Sequence, residues 1–126
     1  MSYILDAGAF IAHERKSVQM QSFVRRAAMQ EIRLKTTTGV VAQVWRNGSQ
    51  QARLALLLGT VDEQIITKER ARATGLLLAK SRTVDVIDAG LVEISHDGDE
   101  ILTSDPADLV ALVQAARKAV RITVIH

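Results

Sequence analysis

Carboxylates are the side chains in this sequence best placed to do chemistry. Asp6 ends the apolar run Tyr3-Ile-Leu near the start of the chain. Asp85 and Asp88 lie three apart in Thr83-Val-Asp-Val-Ile-Asp-Ala-Gly, so they would share one face of a helix. Asp105 and Asp108 have the same spacing in Thr103-Ser-Asp-Pro-Ala-Asp. Asp88 stands among Val86, Ile87, Leu91 and Val92, where an uncompensated charge is costly. A carboxylate there needs a cation, several donors or a proton. A plainer reading exists for each pair. Asp-Pro followed by a second Asp is a good helix start, and acids in a first turn favour the helix dipole. The two readings are compatible, because a cap at a strand end also stands at a ligand edge. If Asp6, Asp88 and Asp105 meet, their repulsion calls for a divalent cation. An all-oxygen set suits Mg2+ or Mn2+, which activate water and stabilise displacement at phosphorus.

The elements needed to bring these acids together are legible as an alternation. Strands are predicted over 2–6, 32–37, 61–66, 100–104 and 121–125. Helices are predicted over 8–14, 17–30, 39–46, 48–58, 67–80, 84–96 and 105–117. Thr38, Thr67 and Thr83 are the expected caps of their helices, and His96 is an expected C-terminal cap. Phe10, Val18, Phe23 and Val24 are expected core positions. Gly90 inside a helix suggests close approach of another backbone. Repeated β-α units imply an α/β fold, a mostly parallel sheet of about five strands between helical layers. Ligands of such sheets bind beyond the carboxyl ends of the strands, where the strand order switches. Asp6 and Asp105 each follow a strand, which places both on that edge.

The 126 residues, with no linker or low-complexity tract, suggest one domain over 1–126. No cysteine, no basic-then-apolar leader and no apolar run near 20 residues point to a cytoplasmic protein away from the membrane. The net charge of +2 hides an asymmetry. Between Thr83 and Ala116 there is no Lys or Arg, while Asp85, Asp88, Glu93, Asp97, Asp99, Glu100, Asp105 and Asp108 fall there. Most basic residues lie between Arg15 and Arg82. A cation site beside a surface that attracts polyanions would have this pattern, and so would a solvated acidic face balanced in space. Phosphate-binding glycine loops, paired histidines, a Gly-x-Ser-x-Gly context and a base-stacking aromatic surface are all missing.

Four stretches together resemble the PIN-domain family: Leu5-Asp-Ala-Gly-Ala-Phe-Ile11, Val40-Val-Ala-Gln-Val-Trp-Arg46, Val84-Asp-Val-Ile-Asp-Ala89 and Thr103-Ser-Asp-Pro-Ala-Asp-Leu109. They are most similar to the small VapC-like toxins of toxin–antitoxin systems. The resemblance implies a three-layer α/β/α sandwich and a Mg2+- or Mn2+-dependent endoribonuclease. It also implies RNA as substrate, a cognate antitoxin and a homodimer. It makes Asp6, Asp88 and Asp105 the metal-binding aspartates and Asp108 an accessory acid; Asp85 or Asp108 is the acid that could compensate for a missing charge. Gln43 departs from the pattern, because the family usually has glutamate there. Its amide oxygen can ligate a metal but brings neither charge nor basicity. Arg46 is a candidate phosphate contact or a plain surface charge, and Trp45 a candidate core residue. The alternative implied by Gln43 is a weakened or inactive PIN-like module that binds RNA or protein. A phosphoacceptor receiver-like domain would want an acidic pair at the first strand and a lysine after the last, and neither is present.

Overall fold

The computed structural model describes residues 1–126. Five strands form one all-parallel sheet: β1 (Ser2–Leu5), β2 (Arg33–Thr37), β3 (Val61–Gln64), β4 (Glu100–Thr103) and β5 (Arg121–Val124). Their order is β3-β2-β1-β4-β5. Seven α-helices connect them: α1 (Ala7–Glu14), α2 (Val18–Gln30), α3 (Thr38–Val44), α4 (Ala52–Leu58), α5 (Lys68–Ser81), α6 (Val86–Ile94) and α7 (Ala107–Ala116). The first two crossovers step one way from β1 and the later ones step the other way. With right-handed crossovers, α1–α4 must cover one face and α5–α7 the other. Contacts agree, since α5, α6 and α7 pack on one another while α1 packs on α2, α3 and α4. The α/β/α sandwich expected from the alternation is therefore present.

The central strands β1 and β4 are buried along their whole length, as strands covered on both faces must be. Tyr3, Ile4, Leu5, Ile101 and Leu102 join Phe10, Met20, Leu54, Leu91, Leu109 and Leu112 in one core. Glu100 is tolerated inside because Thr123 Oγ1 donates to its Oε2 at 2.5 Å. No helix is long and apolar enough to cross a membrane.

Several sequence expectations need correction. Thr37, not Thr38, caps α3 by accepting the Val40 N–H. Asp85, not Thr83, caps α6, which starts at Val86 rather than at 84. The segment 48–58 is a short 3-10 turn (Gly48–Gln50) followed by α4, and β3 ends at Gln64 rather than 66. Val18 is 80% exposed and Trp45 43%, so neither is core. Trp45 instead lies over Gly48, where an added Cβ would meet its ring at 2.5 Å. A Cβ at Gly90 would meet nothing within 4 Å, so no backbone crowds that helix. His96 does not cap α6. Lys118 does, donating from Nζ to the carbonyls of Val92, Glu93 and Ser95 at 2.8, 2.9 and 2.6 Å.

Candidate metal centre at the carboxyl edge of the sheet

Strand order reverses between β1 and β4, and the chain leaves these two strands at Asp6 and Ser104-Asp105. The Asp6 N–H donates to Leu102 O at 3.2 Å, which ties the two strand ends together. Asp6 is the N-cap of α1: its Oδ1 accepts the Ala9 N–H at 3.0 Å, and only 8% of the residue is exposed. Capping bonds of this type contribute about 1 kcal/mol. They also fix the carboxylate's direction. Burial raises the Asp6 pKa, the Thr103 hydroxyl and the N–H groups of Ala9 and Gly8 oppose the rise, and the Asp105 charge adds to it.

Gly8 explains the apolar turn after Asp6. A Cβ at Gly8 would lie 2.0 Å from Ser104 Oγ and 2.9 Å from Ser104 N, so any side chain there would push α1 off the β4–α7 loop.

The start of α6 supplies two more acids. Asp85 Oδ1 accepts the N–H groups of both Ile87 and Asp88, at 3.0 Å each, and leaves Oδ2 without a protein donor. Asp88 is half-buried in the first turn. Its pKa is pushed up to about 7, first by burial and then by the charges of Asp85, Asp6, Asp108 and Asp105. The other four sequence-predicted acids thus all bear on Asp88 at this edge.

The tightest group among them is Asp85, Asp88 and Asp108, whose carboxylate oxygens lie within 4.8 Å of one another. The trio singled out from the sequence, Asp6, Asp88 and Asp105, is more open, with Asp6 and Asp105 beside that group. The expected cap role of Asp105 is not seen. The first turn of α7 has no side-chain cap bond, and Asp105 instead donates its N–H to Thr103 Oγ1 at 2.9 Å.

These residues fit a hard divalent cation. No Lys, Arg or His lies within 4 Å of any of the five acids, so none of them has a cationic partner in the chain. Their donors are all carboxylate oxygens, the set that Mg2+, Ca2+ and Mn2+ prefer.

Gln43 is exposed in α3 and its side chain makes no hydrogen bond within the protein. Arg46 is exposed too, and its Nη1 donates to Ala42 O at 2.9 Å and Trp45 O at 2.8 Å. These bonds stitch the end of α3 and leave Arg46 partly engaged. The largest cavity, about 740 Å3, is elsewhere. It is lined by Leu76, Leu77, Glu93, Ala115 and Ala116, at the opposite ends of α6 and α7 from Asp88 and Asp108.

No protein-family model matches the sequence, and no curated protein matches it. Among solved structures, a chain in the crystal structure of VapBC2 from Rickettsia felis, bound to a DNA fragment from their promoter, is similar. The TM-score is 0.72 at 12% sequence identity, over 98% of this chain and 99% of that one. At this identity the likeness is one of fold, and it extends over the whole chain.

Proposed function

We propose that the chain is a single PIN-like domain acting as a metal-dependent endoribonuclease of the VapC-like toxin type. The observation that carries this reading is the convergence of five aspartates without a cationic partner on the strand-order switch of a VapC-like fold. Asp85, Asp88 and Asp108 would hold Mg2+ or Mn2+, with Asp6 and Asp105 completing the acidic rim. When bound, the cation supplies an activated water and charge neutralisation at the phosphodiester. The chain's own residues do the positioning. Asp6 and Asp85 are each locked by an N-cap bond, so their carboxylates need little reordering. Burial and the neighbouring acids push the Asp88 pKa up to about 7, so a cation bound there would compete with its proton. The fold neighbour belongs to a VapBC assembly, which supports a cognate antitoxin partner; a homodimer belongs to the proposal alone.

Gln43 favours a second reading, a PIN-like module that binds RNA or protein with weak or no turnover. An amide there adds no charge to the acidic rim and cannot act as a base.

Cleavage of a mixed tRNA and mRNA pool separates the two readings. Wild type, Asp6→Asn and Gln43→Glu are compared in Mn2+, Mg2+ and EDTA. The nuclease reading expects metal-dependent cuts that fall at least a hundredfold in Asp6→Asn and rise in Gln43→Glu. Cuts that persist in EDTA or in Asp6→Asn would sink it. Activity confined to Gln43→Glu would establish the second reading.

A further inference from the structure

A second cleft opens beside the acidic site, and nothing in the nuclease reading uses it. It has a volume of about 530 Å3 and runs from Gly8 and Ser104 along α1 to Arg15, with Ile125 and His126 on its far side. Its mouth adjoins the candidate centre, since Ser104 precedes Asp105 and Gly8 is two residues from Asp6. Gly8, Ile11, Ala12 and Arg15 follow the i, i+3, i+4, i+7 spacing of one helix face. At 1.5 Å per residue, Arg15 stands about 10 Å along the helix from Gly8.

The far wall is held in place. Ser17 Oγ donates to His126 O at 2.5 Å, Gln19 Nε2 to Val124 O at 2.9 Å, and the His126 N–H to Gln19 Oε1 at 2.9 Å. The cleft is therefore a formed channel between α1 and the end of β5. Its small residues leave room for a chain backbone, and the exposed Ile11 offers apolar surface to a sugar or base.

Its only arginine is free. Arg15 is exposed, no carboxylate lies within 4 Å of its guanidinium, and its side chain makes no hydrogen bond. The neighbouring Glu14 is turned to another side of α1, where Gln51 Nε2 donates to it at 3.3 Å. A guanidinium with five unused donors at the end of a channel is suited to a phosphate.

We propose that this channel seats the RNA strand flanking the scissile bond, and that Arg15 binds a phosphate of that flank. The inference rests on the nuclease reading of the adjoining acids. Arg15 is a strand-positioning residue, remote from the reacting atoms. An RNA strand is favoured over an acidic protein segment because the cleft's lining residues Gly8 and Ser104 stand next to Asp6 and Asp105, among the acids that would act on a phosphodiester.

The test is binding of a fluorescein-labelled, mixed-sequence single-stranded RNA 12-mer by fluorescence anisotropy, across a series of salt concentrations. The background is full-length Asp6→Asn in Mn2+, in which the strand stays intact. Adding Arg15→Ala is expected to weaken binding about tenfold. It should also lower the slope of log affinity against log salt by roughly 0.7, the loss of one phosphate contact. Arg15→Lys should restore the slope with intermediate affinity, and Arg117→Ala, an exposed arginine after the far end of α7, should change little.

Equal losses from Arg15→Ala and Arg117→Ala would mean diffuse charge only and overturn the proposal. So would unchanged binding in Arg15→Ala, or no RNA binding by the background protein. Fluorescein-labelled hexaglutamate is titrated in parallel, and an Arg15→Ala loss of its binding with RNA binding intact would assign the channel to an acidic protein segment and also overturn it. The two readings fail separately. Wild type that never cleaves RNA, with the Arg15 effect intact, keeps the channel and sinks the nuclease. Metal-dependent cleavage without an Arg15 effect does the reverse.

Discussion

Asp88 is the most strained charge in the molecule, and its strain has a sign. Its pKa rises from an ordinary 3.8 to about 7, so the folded state binds a proton there more tightly than the unfolded state does. Folding is then favoured while Asp88 keeps its proton. Stability is lost as pH rises from about 4 to 7, and the loss persists above that range. Asp88→Asn should therefore raise the thermal midpoint at pH 8 in EDTA by about 2–5 °C, and the gain should vanish near pH 3.5. Scanning calorimetry decides it, and a lower midpoint for Asp88→Asn at pH 8 would contradict the account. The five acids were legible in the sequence because charge in an apolar run is conspicuous. Which of them lie closest was not, because Asp85 and Asp108 read equally well as helix-start residues. Asp85 proved to be both a cap and a member of the tightest group. Arg15 gave no sequence signal beyond its charge, since its freedom depends on where Gln51 holds Glu14.

At the scale of elements, α6 carries two of the acids and is fastened at both ends. Asp85 caps its start, and Lys118 caps its finish from 23 to 26 residues away in sequence. Burial lowers the Lys118 pKa, and Glu93, Asp97 and Asp99 work against that fall. Lys118→Met should leave the carbonyls of Glu93 and Ser95 without the amine, while Val92 O keeps the Ser95 N–H and hydroxyl, and cost about 1–3 kcal/mol. The thermal midpoint should then fall by roughly 4–8 °C or more, and an unchanged midpoint would show that water replaces the amine without loss. Local signals found all five strands and the helices because period and caps are local. They misplaced the α6 cap because Thr83 and Asp85 are both good cap residues, and only the reach of Asp85 to two N–H groups settles it. They missed the Lys118 clasp because no local pattern encodes a contact that distant. The close approach at Gly8 was hidden for the same reason, since Ser104 lies almost a hundred residues on.

At the scale of the whole molecule, the order β3-β2-β1-β4-β5 does the work of concentration. Alternation of strands and helices implied a parallel sheet, but many strand orders satisfy alternation. The order found puts β1 beside β4, so residues 6 and 105 become neighbours across the switch. The same order sends α6 and α7 onto one face, with their first turns at the acidic edge. The result is negative charge that the chain cannot balance locally, with a free arginine in the next cleft. The central claim is that this edge exists to hold a divalent cation. Calorimetric titration of the wild-type chain with Mn2+, at pH 8 and pH 6, tests it most directly. Saturable binding is expected at pH 8, weaker by several-fold at pH 6 as Asp88 regains its proton, and abolished by Asp88→Asn. No saturable binding at pH 8, or binding untouched by Asp88→Asn, would contradict it.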